Sequence, residues 1–331
     1  MKKYLFFAAA LFTLAACNND DNLPVDDPTA PVEIRLSSGI QVQTRTTHNL
    51  DTRLAANEEV HVWVDDAGSG VDNPNLYKNN ILTVGNDRTT LSGGNPMYFP
   101  STGNAVNIYA IHGNFDGADL ADFWGAVTPI IHTVSQKQQS SESKEGEGYA
   151  VSDLVYAQKT NVARTDRNSE NQIGLQFKHL LSKIEVVLVK GNGTPGISEV
   201  AILNTQLKAQ FTPSKTEEWA VSATGEVTDN NPILIDNGLT SDADAKGTDE
   251  TQKILNEAII VPQTVDGGTQ FIRITTTEGG QLFYSLPTEG EIFQPGMKYR
   301  YTITANLTEL TVTATIEDWD TGTDNIGNAE M

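Results

Sequence analysis

The feature that most limits how this chain can fold is the period of its apolar residues, which past residue 30 is two. Val32, Ile34 and Leu36 alternate with polar partners, and Val60, Val62 and Val64 flank His61 and Trp63 in the same way. Val106 to Ile111, Ile184 to Val189, Val200 to Leu207 and Phe271 to Thr277 continue the pattern. Near the C-terminus come Tyr299, Tyr301, Ile303 and Ala305, then Leu310, Val312, Ala314 and Ile316. Successive side chains of a strand point to opposite faces, so such runs, bounded by Gly, Asn, Asp and Pro, describe half-buried strands. The nearest helical stripes, Leu120 to Trp124 and Ile254 to Ala258, are both short. Strands without intervening helices predict antiparallel sandwiches rather than β-α-β units. A chain of 331 residues has room for two such units. Lys159 to Gln172 holds few apolar residues and lies almost midway between residue 30 and the C-terminus, which places the division near residue 174. The polar stretches Ser135 to Gly148 and Asp236 to Lys253 read as surface loops. Neither half shows a fixed-period repeat, which argues against solenoids and propellers.

The charge balance and the single cysteine narrow the function. Forty-three acidic residues against 22 basic ones give a net charge of −21. That argues against nucleic acid as a partner, and against docking onto anionic lipid through a basic surface. The one cysteine, Cys17, excludes a disulfide framework or a Cys-ligated zinc cluster within the monomer. Its position is informative. Lys2 and Lys3 precede an apolar run, Tyr4 to Leu14, that is too short to span a bilayer and ends in Leu14-Ala15-Ala16-Cys17. These residues resemble a bacterial lipobox, in which the cysteine becomes the lipidated first residue of the mature chain; the alternative is an ordinary secretory signal with an incidental cysteine. The rest of the sequence has no comparable apolar segment, so lipid would be the only membrane anchor, and stable anchoring takes more than one acyl chain. Asn18 to Asp27, with Asp20, Asp21, Asp26 and Asp27, reads as a solvated tether. It is similar to the acidic stretch that follows the cysteine of surface-exported lipoproteins in Bacteroidetes-type bacteria.

A catalytic reading finds little material. The five histidines, His48, His61, His112, His132 and His179, form neither an HExxH motif nor an i, i+4 pair. Of these, His61 and His112 are the pair that could approach in space. No serine sits in a GxSxG elbow, and Gly93-Gly94, Gly267-Gly268 and Gly279-Gly280 are hairpin doublets rather than phosphate loops. Asp116, Asp119 and Asp122, or Asp242 and Asp244, lack the spacing of a calcium loop. Trp63, Trp124, Trp219 and Trp319 would serve either as a sugar-stacking platform or as core aromatics. No cofactor and no enzymatic activity are implied.

Four motifs in order carry a resemblance. Phe177-Lys178-His179-Leu180-Leu181-Ser182-Lys183-Ile184-Glu185-Val186 resembles the Phe-x-His-x-Leu-(Ser/Ala)-Lys-(Ile/Val)-x-Val signature of Bacteroidetes-type fimbrillins, the subunits of type V pili. Ile260-Val261-Pro262-Gln263, Phe293 to Tyr301 and Thr311 to Trp319 are similar to that family's mid-domain strand end, its hairpin before a late strand, and its closing strand with a terminal Asp-Trp. The resemblance implies an all-β fold of two tandem β-sandwiches with transthyretin-like Greek-key topology. It also implies a structural role in a fimbria and in cell adhesion. A lipoprotein precursor, lipidated at Cys17, reaches the outer membrane surface, where an Arg-specific protease removes an N-terminal segment that includes a strand. A neighbouring pilus subunit's strand then fills the vacated groove. In this sequence the removable strand would carry Val32, Ile34 and Leu36, and the cut would follow Arg45, with Arg53 as the alternative and Arg35 hindered inside the strand. Leu310, Val312, Ala314 and Ile316 have the spacing of a donor strand; the alternative is a permanent place in their own sheet. The expected organisation is a signal peptide (1–17), a tether with the removable strand (18–45) and two domains (46–174 and 175–331), with the donor strand near 310–319. His179 and Lys183 are expected only to pack locally. A lipid-anchored surface glycan-binding protein is the competing function.

Overall fold

The computed structural model describes residues 31–40, 53–69, 76–115, 120, 123–125, 129–138, 148–190, 196–215, 219–227, 232–235, 256–305, 310–319 and 327–329. It is nearly all β. The strands in chain order are β1 (Arg35–Ile40), β2 (Glu59–Asp66), β3 (Tyr77–Val84), β4 (Thr90–Ser92), β5 (Val106–His112), β6 (Ile130–Thr133) and β7 (Lys137–Gln138). After a single helical turn, α1 (Tyr149–Ser152), come β8 (Val155–Val162), β9 (Gln172–His179), β10 (Ser182–Lys190), β11 (Ile197–Ile202), β12 (Lys208–Phe211), β13 (Val221–Thr224) and β14 (Ile233–Ile235). The last group is β15 (Asn256–Ile260), β16 (Gln263–Val265), β17 (Gln270–Thr276), β18 (Gln281–Ser285), β19 (Glu291–Phe293), β20 (Met297–Ala305), β21 (Leu310–Asp318) and β22 (Gly327–Ala329).

Seven strands close into a barrel in the order β1-β4-β3-β2-β5-β8-β9. Its interior is filled by inward residues of the alternating runs, among them Ile34, Leu36, Val60, Val62, Val64, Val106, Ile108, Ala110, Ile173, Leu175 and Phe177. The expected sheet edges of this half are absent because β1 bridges them, pairing β4 on one side and β9 on the other. The second unit has two five-stranded sheets, β15-β10-β20-β21-β22 and β18-β17-β11-β14-β7, whose facing side chains share one core. Not all pairing is antiparallel: β1–β9, β10–β20 and β7–β14 run parallel.

The chain changes sheets at Leu180-Leu181, between β9 and β10, so residue 174 lies inside a barrel strand. Two strands from the first half cross over: β6 pairs β12, and β7 pairs β14. Both faces of β2 and β5 are therefore covered. Trp63, Tyr109 and Ile111 point out of the barrel and join the second core, which is why Val106 to Ile111 reads as an almost unbroken apolar run.

The polar run expected as a loop conceals a core residue. Gln138 has no exposed surface. Its amide nitrogen donates to the Ile259 carbonyl at 2.8 Å, and its carbonyl accepts from the Ile259 N–H at 2.7 Å, so one side chain completes an edge of β15. Gly148 makes this approach possible. Its φ is 64°, and a Cβ there would sit 1.9 Å from the Lys137 carbonyl oxygen. Replacing Gln138 with Leu keeps the volume but leaves two buried backbone groups without partners. We expect Gln138→Leu to lower the unfolding free energy by about 2–4 kcal/mol in a urea titration. A change within experimental error would show that the Ile259 groups find other partners.

Candidate functional site

The elements that bear on strand exchange lie at the two ends of the chain. At the first, Val32 is half-buried, Ile34 and Leu36 are 3 % and 1 % exposed, and Ser38 is also buried, while Arg35 points outward. The strand is held along both sides. Six successive residues, Arg35 to Ile40, pair with Gln172 to Phe177 of β9, and Leu36 and Ser37 pair with Leu91 and Thr90 of β4. The Ile34 N–H donates to the Met97 carbonyl at 2.8 Å, the Ser38 N–H to the Thr89 carbonyl at 2.7 Å, and the Phe99 N–H to the Val32 carbonyl at 2.9 Å. Without this strand, β4 and β9 would have unpaired edges flanking an apolar slot, an arrangement that favours addition of another strand.

The three arginines differ in what a cut would do. Arg35 pairs Gln172 in the ladder, and its side chain bonds Glu33 at 2.7 Å. A cut there would leave Leu36 to Ile40 in place. Arg53 is exposed but immediately precedes the buried Leu54, Ala55 and Ala56. Arg45 and Cys17 lie outside the described residues.

At the other end, β21 pairs β20 over nine residues, from Leu310 opposite Ala305 to Asp318 opposite Met297. Its outer side meets β22 through only three pairs. Val312, Ala314 and Ile316 are half-buried against the second core, while Thr311 and Thr313 are exposed. The strand thus has the expected two-sided alternation but incomplete cover of its apolar face.

The residue after this strand is held differently. Trp319 is 3 % exposed and lies flat on the His179 ring, with 3.5 Å between centroids and 7° between planes. His179 Nδ1 is 3.0 Å from an Asp153 carboxylate oxygen, and the Lys183 ammonium sits 5.9 Å from the indole centroid. The Trp319 backbone N–H donates to the Gly296 carbonyl at 2.6 Å. Sequence reasoning gave His179 and Lys183 only local packing; their role depends on a residue some 140 positions away, for which the sequence has no signal.

Beside Trp319 the solvent-distal face of β10 carries charge. Lys183, Glu185 and Glu257 have no exposed surface. Lys183 Nζ is 2.9 Å from Glu257 Oε1 and 3.2 Å from Glu185 Oε1, and Arg300 Nε is 2.9 Å from Glu185 Oε2. Burial pushes the Glu185 pKa up, but Lys183, Lys298 and Arg300 together pull it further down, to about 2.

The remaining candidates are engaged internally. Trp63, Trp124 and Trp219 meet one another and Phe123, with Trp63 stacked on Phe123 at 4.5 Å and Trp219 on Tyr156 at 3.9 Å. Lys215, paired with Asp65, sits over the Tyr109 and Trp124 rings. These ring faces are occupied by protein, which leaves no sugar platform among them. His61 Nδ1 is 2.7 Å from Asn79 Oδ1, and burial lowers its pKa against the effect of that bond. His112 instead contacts the Glu59 and Ala150 carbonyls, at 2.9 and 3.1 Å. Among the described residues no three His, Cys, Asp or Glu side chains converge as metal ligands, and no helix is long and apolar enough to cross a membrane.

Comparison with known proteins bears on the family and the fold. A model of the fimbrillin-like family matches residues 44–319, and one of the prokaryotic membrane lipoprotein lipid attachment site matches residues 1–18, which include Cys17. Among solved structures, a protein from Bacteroides ovatus assigned to cell adhesion superposes with a TM-score of 0.60 at 18 % identity, covering 88 % of this chain and 98 % of its own. A second such protein, from Bacteroides uniformis, gives a TM-score of 0.55 at 18 % identity, covering 87 % of this chain and 99 % of its own. Both likenesses concern the fold. Among curated proteins nothing matches the chain.

Proposed function

We propose, from the premise that this chain belongs to the fimbrillin-like family, that it is a structural pilus subunit polymerised by donor-strand exchange. It has no enzymatic role in this reading. The precursor is lipidated at Cys17 and carried to the outer membrane surface. An Arg-specific protease cuts after Arg45, or after Arg53, and releases Val32, Ile34 and Leu36 with the propeptide. The exposed slot then receives the strand of a neighbouring subunit, for which Leu310, Val312, Ala314 and Ile316 are the candidates. The polymer serves adhesion.

The observation that carries this reading is the place of β1. It is a short strand near the N-terminus that closes a barrel alone, and every cut downstream of it before Leu54 would free it whole. Nothing comparable supports the glycan-binding alternative, since the tryptophans it needs pack against other rings of the protein.

Treating the purified precursor with an Arg-specific protease tests the proposal. We expect a new N-terminus at Thr46 or Leu54, followed by ladders that survive SDS. A cut chain that stays monomeric, or an uncut one that shifts on glycan-affinity gels, would refute it.

A further inference from the structure

We infer that the stack of Trp319 on His179 is a latch that holds the C-terminal strand in its own sheet until assembly. The inference rests on the proposal that β21 is the strand that exchanges.

β21 is not held evenly along its length. Along its length the apolar face is only half-buried, and its outer neighbour β22 covers three of nine positions. Its ladder with β20 runs the whole length, but among its described side chains full burial is reached only at the residue that follows it, Trp319. Trp319 is buried against His179, which belongs to barrel strand β9 and is fixed by Asp153. The indole therefore ties the residue that follows β21 to a strand of the barrel and not to the sheet that β21 extends. To leave, β21 must first withdraw Trp319 from its contacts with His179 and Lys183.

The same contact is suited to release. The indole N–H is buried and has no hydrogen-bond acceptor among the described residues. Water would satisfy it as soon as the ring comes out, so the latched state gives up part of what stacking provides. Local opening of this kind depends on the stability of one element, not on that of the whole fold.

Hydrogen exchange on the full chain tests the latch. In Trp319→Ala we expect the amides of β21 to exchange at least about tenfold faster, with β2 and β5 unchanged, because the opening is local. Trp319→Phe keeps a ring over His179 and should restore most of the protection. His179→Ala removes the platform from the other side and should reproduce the selective rise, which guards against a folding defect of either variant. If β21 protection is unchanged in both alanine variants, or falls only together with that of β2 and β5, the latch does not exist. Ladder formation after Arg-specific cleavage separates the two readings. Selective β21 opening with faster ladder growth supports both, whereas selective opening with no change in growth keeps the latch and refutes β21 as the donor.

Discussion

A chain that begins at Thr46 should be less stable than the full one by about 3–6 kcal/mol, and an added peptide of residues 31–40 should restore the difference. The estimate comes from two side chains. Ile34 and Leu36 are almost wholly buried, and full burial of such a residue is worth about 1.5–3 kcal/mol. Domains of this kind have only about 5–15 kcal/mol in total, so the trimmed chain is expected to be marginal. The ladder bonds add to the loss, since six residues of β9 and two of β4 lose their strand partners. Because the peptide binds the folded form alone, its effect should grow with the logarithm of its concentration. Urea titration of the trimmed chain, alone and with peptide, measures both effects. A peptide carrying Leu36→Asp places a carboxylate in the slot and should fail to rescue. If the trimmed chain matches the full one, the barrel does not depend on β1, and strand exchange loses its driving force.

The second large effect lies in the charged layer of the other unit. Lys183→Met should lower the unfolding free energy by about 3–5 kcal/mol, the usual result of removing one partner from a buried ion group. Glu185 and Glu257 face each other across the β10–β15 register, both fully buried, with Lys183 between them. Without the ammonium the two carboxylates would repel each other in a region of low polarisability. Adding Glu185→Gln and Glu257→Gln to the same variant should recover most of the loss.

The pH dependence has a definite sign. The Glu185 pKa in the fold is about 2, below the ordinary value of 4.5, so its contribution is complete above about 4.5 and is lost as pH falls through 2. In Lys183→Met that pKa rises, and acid unfolding should begin at higher pH. Circular dichroism followed from pH 7 to pH 2 would show the shift. An unchanged acid transition would mean that Lys298 and Arg300 hold Glu185 without help.

How much of this was legible in the sequence depends on how far each residue's partners lie along the chain. The alternation in Val60 to Val64, Ile184 to Val189 and Tyr299 to Ala305 needs no partner to be read, and β2, β10 and β20 lie where it points. The same alternation says nothing of the charged partners that Lys183 and Glu185 find. Those partners, Glu257 and Arg300, are brought beside them by β15 and β20, more than 70 residues later. Gln138 was hidden for the same reason, since its partner Ile259 is 121 residues away. The alternation of Ile173, Leu175 and Phe177 is of the same kind, and β9 carries it up to the motif that begins at Phe177. Gly279-Gly280, by contrast, joins β17 to β18 as a hairpin doublet should, with Gly279 at φ 84°. Of Ile254 to Ala258, weakly helical by pattern, Asn256 to Ala258 belong to β15 instead, where every residue from Asn256 to Ile260 is buried, and Ile254 and Leu255 lie outside the described residues.

The position of β1 between two neighbours also has a mechanical consequence. A strand bonded along both flanks shares a lengthwise pull among all its rungs, so none yields until nearly all do. A force that lifts one end meets them singly. If subunits are joined by strands seated as β1 is, a fibre under tension loads each joint in its stiff direction. Replacement of one strand by another, starting from one end, remains gradual and cheap, so the same seat can be filled at room temperature and yet hold against drag.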